Sequence, residues 1–215
     1  MKIGAHSTLL MIGDSITEAG RDPAGNPTPW NLNLGLGRGY VAHVEAQLAL
    51  VYPELAIRVI NRGVSGDTCR DIAGRWDRDV IAAQPNWVSV MIGINDVWRQ
   101  FDQPLVTEAH VRIDAYESTL ARLVERTLPL VQGFVLMTPY MIEPNRDDAM
   151  RRLMDQYGAV VKRLAEKYGA LFVDTQAAFD EVLRYRHPAS IAWDRIHPDL
   201  LGHVLLANAF LAAIK

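Results

Sequence analysis

Several features that mark particular protein classes are scarce in this sequence. Cys69 is its one cysteine, so no disulfide can form within the chain, and a reducing, cytoplasmic location is expected. The formal net charge of -3 provides no basic excess for binding nucleic acid. The apolar run Leu9–Ile12 is too short for a signal peptide, and the C-terminal apolar segment is interrupted by Gly202, His203 and Asn208. Neither a leader nor a membrane partner is therefore expected.

The length of 215 residues suits one domain that buries its own core, and we expect a single domain over residues 1–215. Short apolar runs alternate with helical periodicity, which predicts an α/β fold around a mostly parallel sheet. The five predicted strands are 9–13, 57–61, 88–92, 134–138 and 171–173. The predicted helices are 41–51, 71–83, 108–127, 148–168, 177–186 and one after Pro198. Thr68 and Asp71 have the spacing of a capping box at the second helix.

A serine follows the first predicted strand, and residue types able to activate it lie near the C-terminus. Ser15 comes directly after that strand and Asp14, while Asp194 and His197 are three residues apart. In open α/β sheets, ligands bind beyond the carboxyl ends of the strands. The three side chains together indicate a hydrolase triad, in which Ser15 attacks, His197 takes its proton and Asp194 holds the imidazole in the reactive tautomer.

Hydrogen-bond donors follow the other strands of the predicted sheet. Gly66 lies in the glycine-rich segment after the second strand, and Asn95 follows the third. Acyl transfer passes through a tetrahedral oxyanion, which rigid donors stabilise. The N–H groups of Ser15 and Gly66 and the side-chain amide of Asn95 are three candidate donors. This combination of residues is typical of acyl-transfer enzymes.

Four blocks of the chain resemble the SGNH hydrolases, also called the GDSL esterase/lipase family. They are Gly-Asp-Ser-Ile around Ser15, Val-Ser-Gly-Asp-Thr around Gly66, Gly-Ile-Asn-Asp around Asn95 and Asp-Arg-Ile-His-Pro around His197. The resemblance implies a flavodoxin-like three-layer α/β/α sandwich with a five-stranded, mostly parallel sheet. It also implies that Ser15 is the nucleophile, that Asp194 and His197 are its partners, and that Ser15, Gly66 and Asn95 form the oxyanion hole.

Four further stretches, 91–100, 150–158, 171–179 and 192–198, resemble one branch of that family, the intracellular bacterial acetylxylan esterases. This likeness implies a serine esterase that removes acetyl groups from xylo-oligosaccharides or xylan fragments through an acyl-enzyme, with no cofactor and no metal. Its expected partner is a small acylated carbohydrate, and the family favours a homo-oligomer. The alternatives are a short-chain acyl esterase, a thioesterase or a lysophospholipase of the same family, or a carbohydrate-binding module without chemistry.

Several residues have structural interpretations beside the functional ones. A serine at the position of Ser15 commonly caps a helix, and Ser65 is a rival nucleophile that fails the Gly-x-Ser-x-Gly pattern by one residue. Asp194 and His197 are also residue types that bind metal ions, so a metal site with His187 or His203 as the third ligand is the alternative. Asp14 and Asp96, which adjoin stronger candidates, are interpreted as orienting groups. Cys69 is interpreted as a passive thiol.

Specificity is expected to depend on loops after the strands. Segment 17–38 is predicted to be irregular, and a stretch of that length is often functional. The segment after Asn95 is predicted to be a polar loop carrying Arg99, Gln100 and Asp102, unlike the apolar lid of a long-chain lipase. Four aromatic residues near these loops are candidates for sugar stacking, with packing as the alternative for each; they are Trp30, Trp98, Tyr140 and Trp193. In the last helix, Leu205, Leu206, Phe210 and Leu211 cover either the sheet or another subunit.

Overall fold

The computed structural model describes residues 1–24 and 34–215. Its centre is one five-stranded sheet with the strand order β2-β1-β3-β4-β5, and all four pairings are parallel. The strands are Thr8–Gly13 (β1), Arg58–Asn61 (β2), Trp87–Met91 (β3), Gly133–Met137 (β4) and Leu171–Val173 (β5). Each predicted strand lies within one residue of the observed bounds. The α/β fold with a parallel sheet is therefore confirmed.

Helices cover both faces of the sheet. The helices are Ser15–Glu18 (α1), Tyr40–Val51 (α2), Cys69–Trp76 (α3), Ile94–Asp102 (α4), Ile113–Thr127 (α5), Ala149–Tyr168 (α6), Thr175–Leu183 (α7) and Leu200–Ile214 (α8). One layer contains α2, α7 and α8, which pack on each other, and the second contains α3 to α6. The result is the three-layer sandwich that the family resemblance implied.

The central strands β1 and β3 are buried along almost their whole length, because both of their faces are covered. Every residue of β3 is buried, as is every residue of β1 after Thr8. Strands of parallel sheets covered on both faces are mostly apolar. The chain leaves β1 toward β2 on one side and returns to β3 on the other. The order in which strands are added to the sheet therefore reverses between β1 and β3, and open α/β folds bind ligands at such a point.

The signal at the start of α3 agrees with the prediction. Thr68 and Asp71 form the predicted capping box, in which the Thr68 N–H donates to Asp71 Oδ2 at 2.9 Å. The α3 helix that it starts continues as a π-helical turn at Asp77–Ile81.

In α8, Leu206 and Phe210 are fully buried in the core of this chain. These two side chains therefore cover the sheet rather than another subunit.

The segment after Asn95 was predicted to be a loop, and that prediction is wrong, because it lies within the helix α4. The helix begins after Gly93, whose φ of 127° is accessible to glycine and strained for other residues. Ile94, Val97, Trp98 and Phe101 have the i, i+3, i+4, i+7 spacing of an amphipathic helix.

Within segment 17–38, residues 25–33 and hence Trp30 lie outside the described residues. Among the described helices, none is both long and apolar enough to cross a membrane.

Candidate active site

The structure brings Ser15, His197 and Asp194 together from opposite ends of the chain. Ser15 Oγ lies 2.9 Å from His197 Nε2, and His197 Nδ1 lies 2.6 Å from Asp194 Oδ2. An ionised carboxylate can only accept hydrogen bonds, so the imidazole proton is on Nδ1. Nε2 is then free to accept the proton of the serine hydroxyl. This is the hydrogen-bonding pattern of a Ser-His-Asp triad.

The Asp194 carboxylate is held ionised by its surroundings. Burial by itself would raise its pKa, but hydrogen bonds from the His197 side chain and from two backbone N–H groups outweigh that effect, so the pKa lies below its usual range. Asp194 Oδ1 accepts from the N–H of Ile196 at 3.0 Å and of His197 at 2.8 Å. Arg195, which separates Asp194 from these two residues, has a φ of 65°, which turns the backbone around the carboxylate. The negative charge is therefore available to stabilise an imidazolium.

Ser15 is presented at the start of α1 by Asp14. The side chain of Asp14 caps this short helix, because its Oδ1 accepts from the Ile16 N–H at 3.0 Å. The interpretation of Ser15 as the helix cap is therefore wrong: Ser15 is the first helical residue, and its hydroxyl contacts His197. Asp14 is completely buried, and this burial raises its pKa to about 7. Its orienting role was predicted.

The three predicted oxyanion donors surround the same end of the sheet. Gly66 has a φ of 85°, in the left-handed region that favours glycine. Asn95 lies in the first turn of α4, and its Nδ2 donates to the carbonyl of Asp67 at 2.9 Å. One amide hydrogen of Asn95 remains available. The N–H groups of Ser15 and Gly66 also have no acceptor within the described residues.

Arg75 joins the loop that carries Gly66 to the end of β1. Its Nε donates to Asp67 Oδ2 at 2.6 Å, and its other nitrogens donate to the carbonyls of Arg62 at 2.9 Å and Gly13 at 3.3 Å. The guanidinium also pairs with Asp79 at 2.7 Å. Through these bonds Arg75 fixes the position of Gly66 relative to Ser15. Sequence reasoning missed this residue, because its partners lie on separate segments.

The loop that carries His197 is attached to the segment after β4. The Tyr140 hydroxyl donates to the carbonyl of Ile196 at 3.1 Å, and the Ile142 N–H donates to the carbonyl of Arg195 at 2.9 Å. Arg195 also pairs with Glu143 at 2.5 Å. Tyr140 is fully buried and cannot stack on a sugar. Its role is to position the histidine loop, which the sequence did not reveal.

The other aromatic candidates differ in their surroundings. The Trp98 ring centroid lies 5.8 Å from that of His197, so this residue is part of the site, although it lies on a helix and not on the predicted loop. Trp193 precedes Asp194 and is 85% exposed. An aromatic side chain left in water at this position is available for contact with another molecule.

Two further groups near the site are occupied by structural hydrogen bonds. Both oxygens of Asp96 accept from the Cys69 N–H, at 3.0 and 3.1 Å, and burial raises the pKa of this carboxyl to about 8. Burial also raises the pKa of the Cys69 thiol, which agrees with a passive thiol. His203 Nδ1 accepts from the Tyr40 N–H at 3.2 Å. Within residues 1–24 and 34–215, no three His, Cys, Asp or Glu side chains are grouped to hold a metal ion.

Comparison with known proteins identifies the family. Residues 11–205 match the model of the GDSL-like Lipase/Acylhydrolase family. An acetylxylan esterase of Geobacillus stearothermophilus is 58% identical over 214 residues, which cover 100% of this chain and 96% of that protein. The crystal structure of Axe2, an acetylxylan esterase from the same organism, has a TM-score of 0.95 at 57% identity and covers 100% of this chain and 97% of its own.

Other solved structures agree with that match. Three are described as catalytic mutants of Axe2, with a serine, an aspartate or a histidine replaced by alanine. An alpha/beta hydrolase from the metagenome of Lake Arreo has a TM-score of 0.95 at 54% identity and covers 100% of this chain and 97% of its own. The chain therefore belongs to the GDSL-like lipase/acylhydrolase family.

Proposed function

We propose that the protein is a serine esterase in which Ser15 is the nucleophile, His197 the general base and acid, and Asp194 the residue that orients His197. The observation that carries this proposal is the continuous hydrogen-bonded chain from Ser15 Oγ through both imidazole nitrogens to Asp194 Oδ2, at 2.9 and 2.6 Å. No cofactor is needed, because the serine, the imidazole and a water molecule supply all the reacting groups.

In the first half of the reaction, Ser15 Oγ attacks the ester carbonyl while His197 Nε2 takes its proton. The carbonyl oxygen becomes an oxyanion, which the N–H groups of Ser15 and Gly66 and the amide of Asn95 stabilise. The imidazolium then gives its proton to the departing alcohol oxygen, leaving Ser15 acylated. Asp194, ionised because its pKa is low, stabilises the imidazolium in both steps.

In the second half, a water molecule takes the place of the alcohol. His197 Nε2 removes a proton from this water, which attacks the acyl carbon, and the same donors stabilise the second oxyanion. The Ser15 oxygen leaves and recovers its proton from His197. The products are a carboxylic acid and free enzyme.

We propose that the substrate is an acetylated xylo-oligosaccharide. The support comes from relatives named acetylxylan esterases, one of which is 58% identical over the full chain. Similarity of this extent includes the regions outside the catalytic blocks, where a substrate is selected. A panel of acetylated xylo-oligosaccharide, acyl-CoA and lysophospholipid tests the proposal; a preference for either of the last two contradicts it.

We also propose that residues 1–215 work as one domain, in the cytoplasm, and as a homo-oligomer. The buried and unpaired thiol of Cys69 supports a reducing compartment. Tyr185 and Trp193, which are 80% and 85% exposed, support self-association, because large aromatic side chains are enriched at interfaces. Light scattering of the purified protein measures its mass in solution, and a monomer at micromolar concentration contradicts the oligomer.

Ser15→Ala tests the nucleophile. We expect kcat to fall by about 10⁴-fold or more, with the fold unchanged, because the variant can form no acyl-enzyme. Ser65→Ala is the matched control, since it removes a hydroxyl from an exposed serine next to Gly66. Most of the activity remaining in Ser15→Ala, or an equal loss in Ser65→Ala, contradicts the assignment.

A further inference from the structure

An open groove is lined in part by Trp98, whose ring neighbours that of His197. It has a volume of about 310 Å³, and its walls include Trp98 and Phe101 from α4, Asp148 from the start of α6, and Arg195. This volume is at the small end of the range for ligand pockets. The catalytic steps described above do not use the groove.

The groove adjoins the part of the site from which the alcohol leaves. The Trp98 ring lies 5.8 Å from the His197 ring, and Arg195 is two residues before that histidine. Because His197 must give its proton to the departing oxygen, the alcohol half of the ester lies next to the imidazole. A sugar bonded through that oxygen would therefore extend toward Trp98.

The walls of the groove present aromatic surface. Phe101 is 41% exposed, and Trp98 is half-buried, with the guanidinium of Arg99 lying 5.2 Å from the centre of its ring. This contact and the neighbouring His197 limit the freedom of the indole. Aromatic faces of this kind supply large contact area at little cost in conformational entropy.

The same walls present carboxylate oxygens that are free to accept hydrogen bonds. Asp148 Oδ1 accepts from the N–H groups of Met150 and Arg151, whereas its Oδ2 lies 3.7 Å from Arg195, beyond hydrogen-bonding distance. Asp102 pairs with Arg99 through Oδ2. Within the described residues, Asp148 Oδ2 and Asp102 Oδ1 have no hydrogen-bond donor.

The charge of the groove discriminates between classes of alcohol. Its walls include two carboxylates, each of which has a cationic neighbour: Asp102 pairs with Arg99, and Asp148 lies 3.7 Å from Arg195. Arg195 is the one cation among the wall residues in the described chain, and it also pairs with Glu143 at 2.5 Å. A polyanionic alcohol half such as coenzyme A, or a phosphate-bearing headgroup, would meet these carboxylates and find no unpaired cation among the wall residues in the described chain. A neutral ligand with many hydroxyl groups supplies the donors that the free carboxylate oxygens lack.

We propose that this groove is a subsite for the xylose units of the alcohol half of the substrate. Sugar faces pack on Trp98 and Phe101, and sugar hydroxyls donate to Asp148 and Asp102. The inference rests on the proposed function, and it adds which surface holds the sugar and why anionic alcohols are disfavoured.

Two variants test the subsite at positions that do not contact Ser15 or His197. Phe101→Ala removes the outer aromatic surface. Asp148→Asn removes the negative charge but keeps the cap of α6, because asparagine and aspartate cap helices about equally well. Leu50→Ala is the control, since it truncates an apolar side chain that is 76% exposed in the last turn of α2. Each variant is assayed with acetylated xylotriose and with vinyl acetate, whose alcohol half is too small to reach Phe101.

The measured quantity is the ratio of kcat/KM for acetylated xylotriose to kcat/KM for vinyl acetate. We expect this ratio to fall about tenfold in each subsite variant, the effect of losing one good contact, and to stay unchanged in Leu50→Ala. Unacetylated xylotriose should inhibit vinyl acetate hydrolysis competitively in the wild type, and about tenfold more weakly in Phe101→Ala.

Two outcomes overturn the subsite directly: an unchanged ratio in both variants, or no inhibition by xylotriose. A third is a selective loss of activity of the variants on longer acyl esters of the same alcohol, because it would place the acyl chain in the groove. Failure of the proposed substrate has a different signature. In that case the wild type hydrolyses vinyl acetate but not acetylated xylotriose, and the subsite falls with it.

Discussion

Asp194→Asn separates the electrostatic role of this residue from its structural one. Asp194 Oδ1 accepts from two backbone N–H groups, at 3.0 and 2.8 Å, and the carbonyl oxygen of asparagine can keep both bonds. The other oxygen, 2.6 Å from His197 Nδ1, becomes an NH₂ group. Two donors cannot face each other, so the imidazole proton moves to Nε2. There it blocks the nitrogen that must accept the proton of Ser15.

The expected loss is large because the base is present but in the wrong tautomer. The corresponding substitution in a serine protease triad lowers kcat by about 10⁴-fold, which equals about 5.5 kcal/mol of transition-state stabilisation at 1.36 kcal/mol per factor of ten. We expect a similar loss here, with KM changed little, since substrate binding does not need the proton transfer. The free energy of unfolding should fall by less than about 1 kcal/mol, because the backbone hydrogen bonds remain.

The assay measures acetate release from an acetyl ester over a range of pH, together with denaturant unfolding of the same sample. Asp194→Ala is the companion variant, because it removes the acceptor of the backbone N–H groups and should also lower stability. A folded Asp194→Asn protein that keeps more than a few per cent of wild-type kcat would refute the tautomer argument. Equal unfolding free energies for the two variants would refute the structural role assigned to Oδ1.

Two further substitutions test the oxyanion donors and the buried carboxyl. Asn95→Ala should lower kcat by about 10²- to 10³-fold with KM nearly unchanged, as measured by initial rates, because the amide acts on the transition state; a rise in KM alone contradicts this. The pKa of Asp96 is raised to about 8, so the folded protein holds a proton that the unfolded chain releases near pH 4, and stability falls as pH rises from about 4 to 8. Asp96→Asn should therefore make the free energy of unfolding fall by a few kcal/mol less over this pH range, as measured by denaturant unfolding. Part of the decline should remain, because Asp14 has a pKa of about 7. An unchanged dependence of the unfolding free energy on pH contradicts this prediction.

Much of the fold could be predicted because buried parallel strands leave a strong local signal. The runs that became β1 and β3 are mostly apolar, with Thr8 and Ser89 as the polar exceptions, since both faces of the sheet are covered. The end of β3 was harder to interpret. Asn95 and Asp96 resemble loop residues, and the polar side chains of Arg99 and Gln100 obscured the helical spacing of Ile94, Val97, Trp98 and Phe101. Giving that spacing more weight would have found α4.

The candidate site was predicted only for the residues that motifs contain. Ser15, Gly66, Asn95, Asp194 and His197 lie in short blocks, and the structure places them at one end of the sheet. Arg75 and Tyr140 belong to no block, because their partners Gly13 and Ile196 are 62 and 56 residues away. Such residues position the site through tertiary contacts. A single sequence contains no local pattern that records these contacts.

If His197 activates Ser15 for covalent catalysis, Ser15 must react with an electrophile that requires an activated hydroxyl. The protein is treated with a fluorophosphonate ester, residual esterase activity is followed, and the modified peptide is identified by mass spectrometry. We predict one label per chain, on Ser15, with activity lost in proportion to labelling and no labelling of His197→Ala under the same conditions. Labelling of another residue, or full activity after Ser15 is modified, would contradict it.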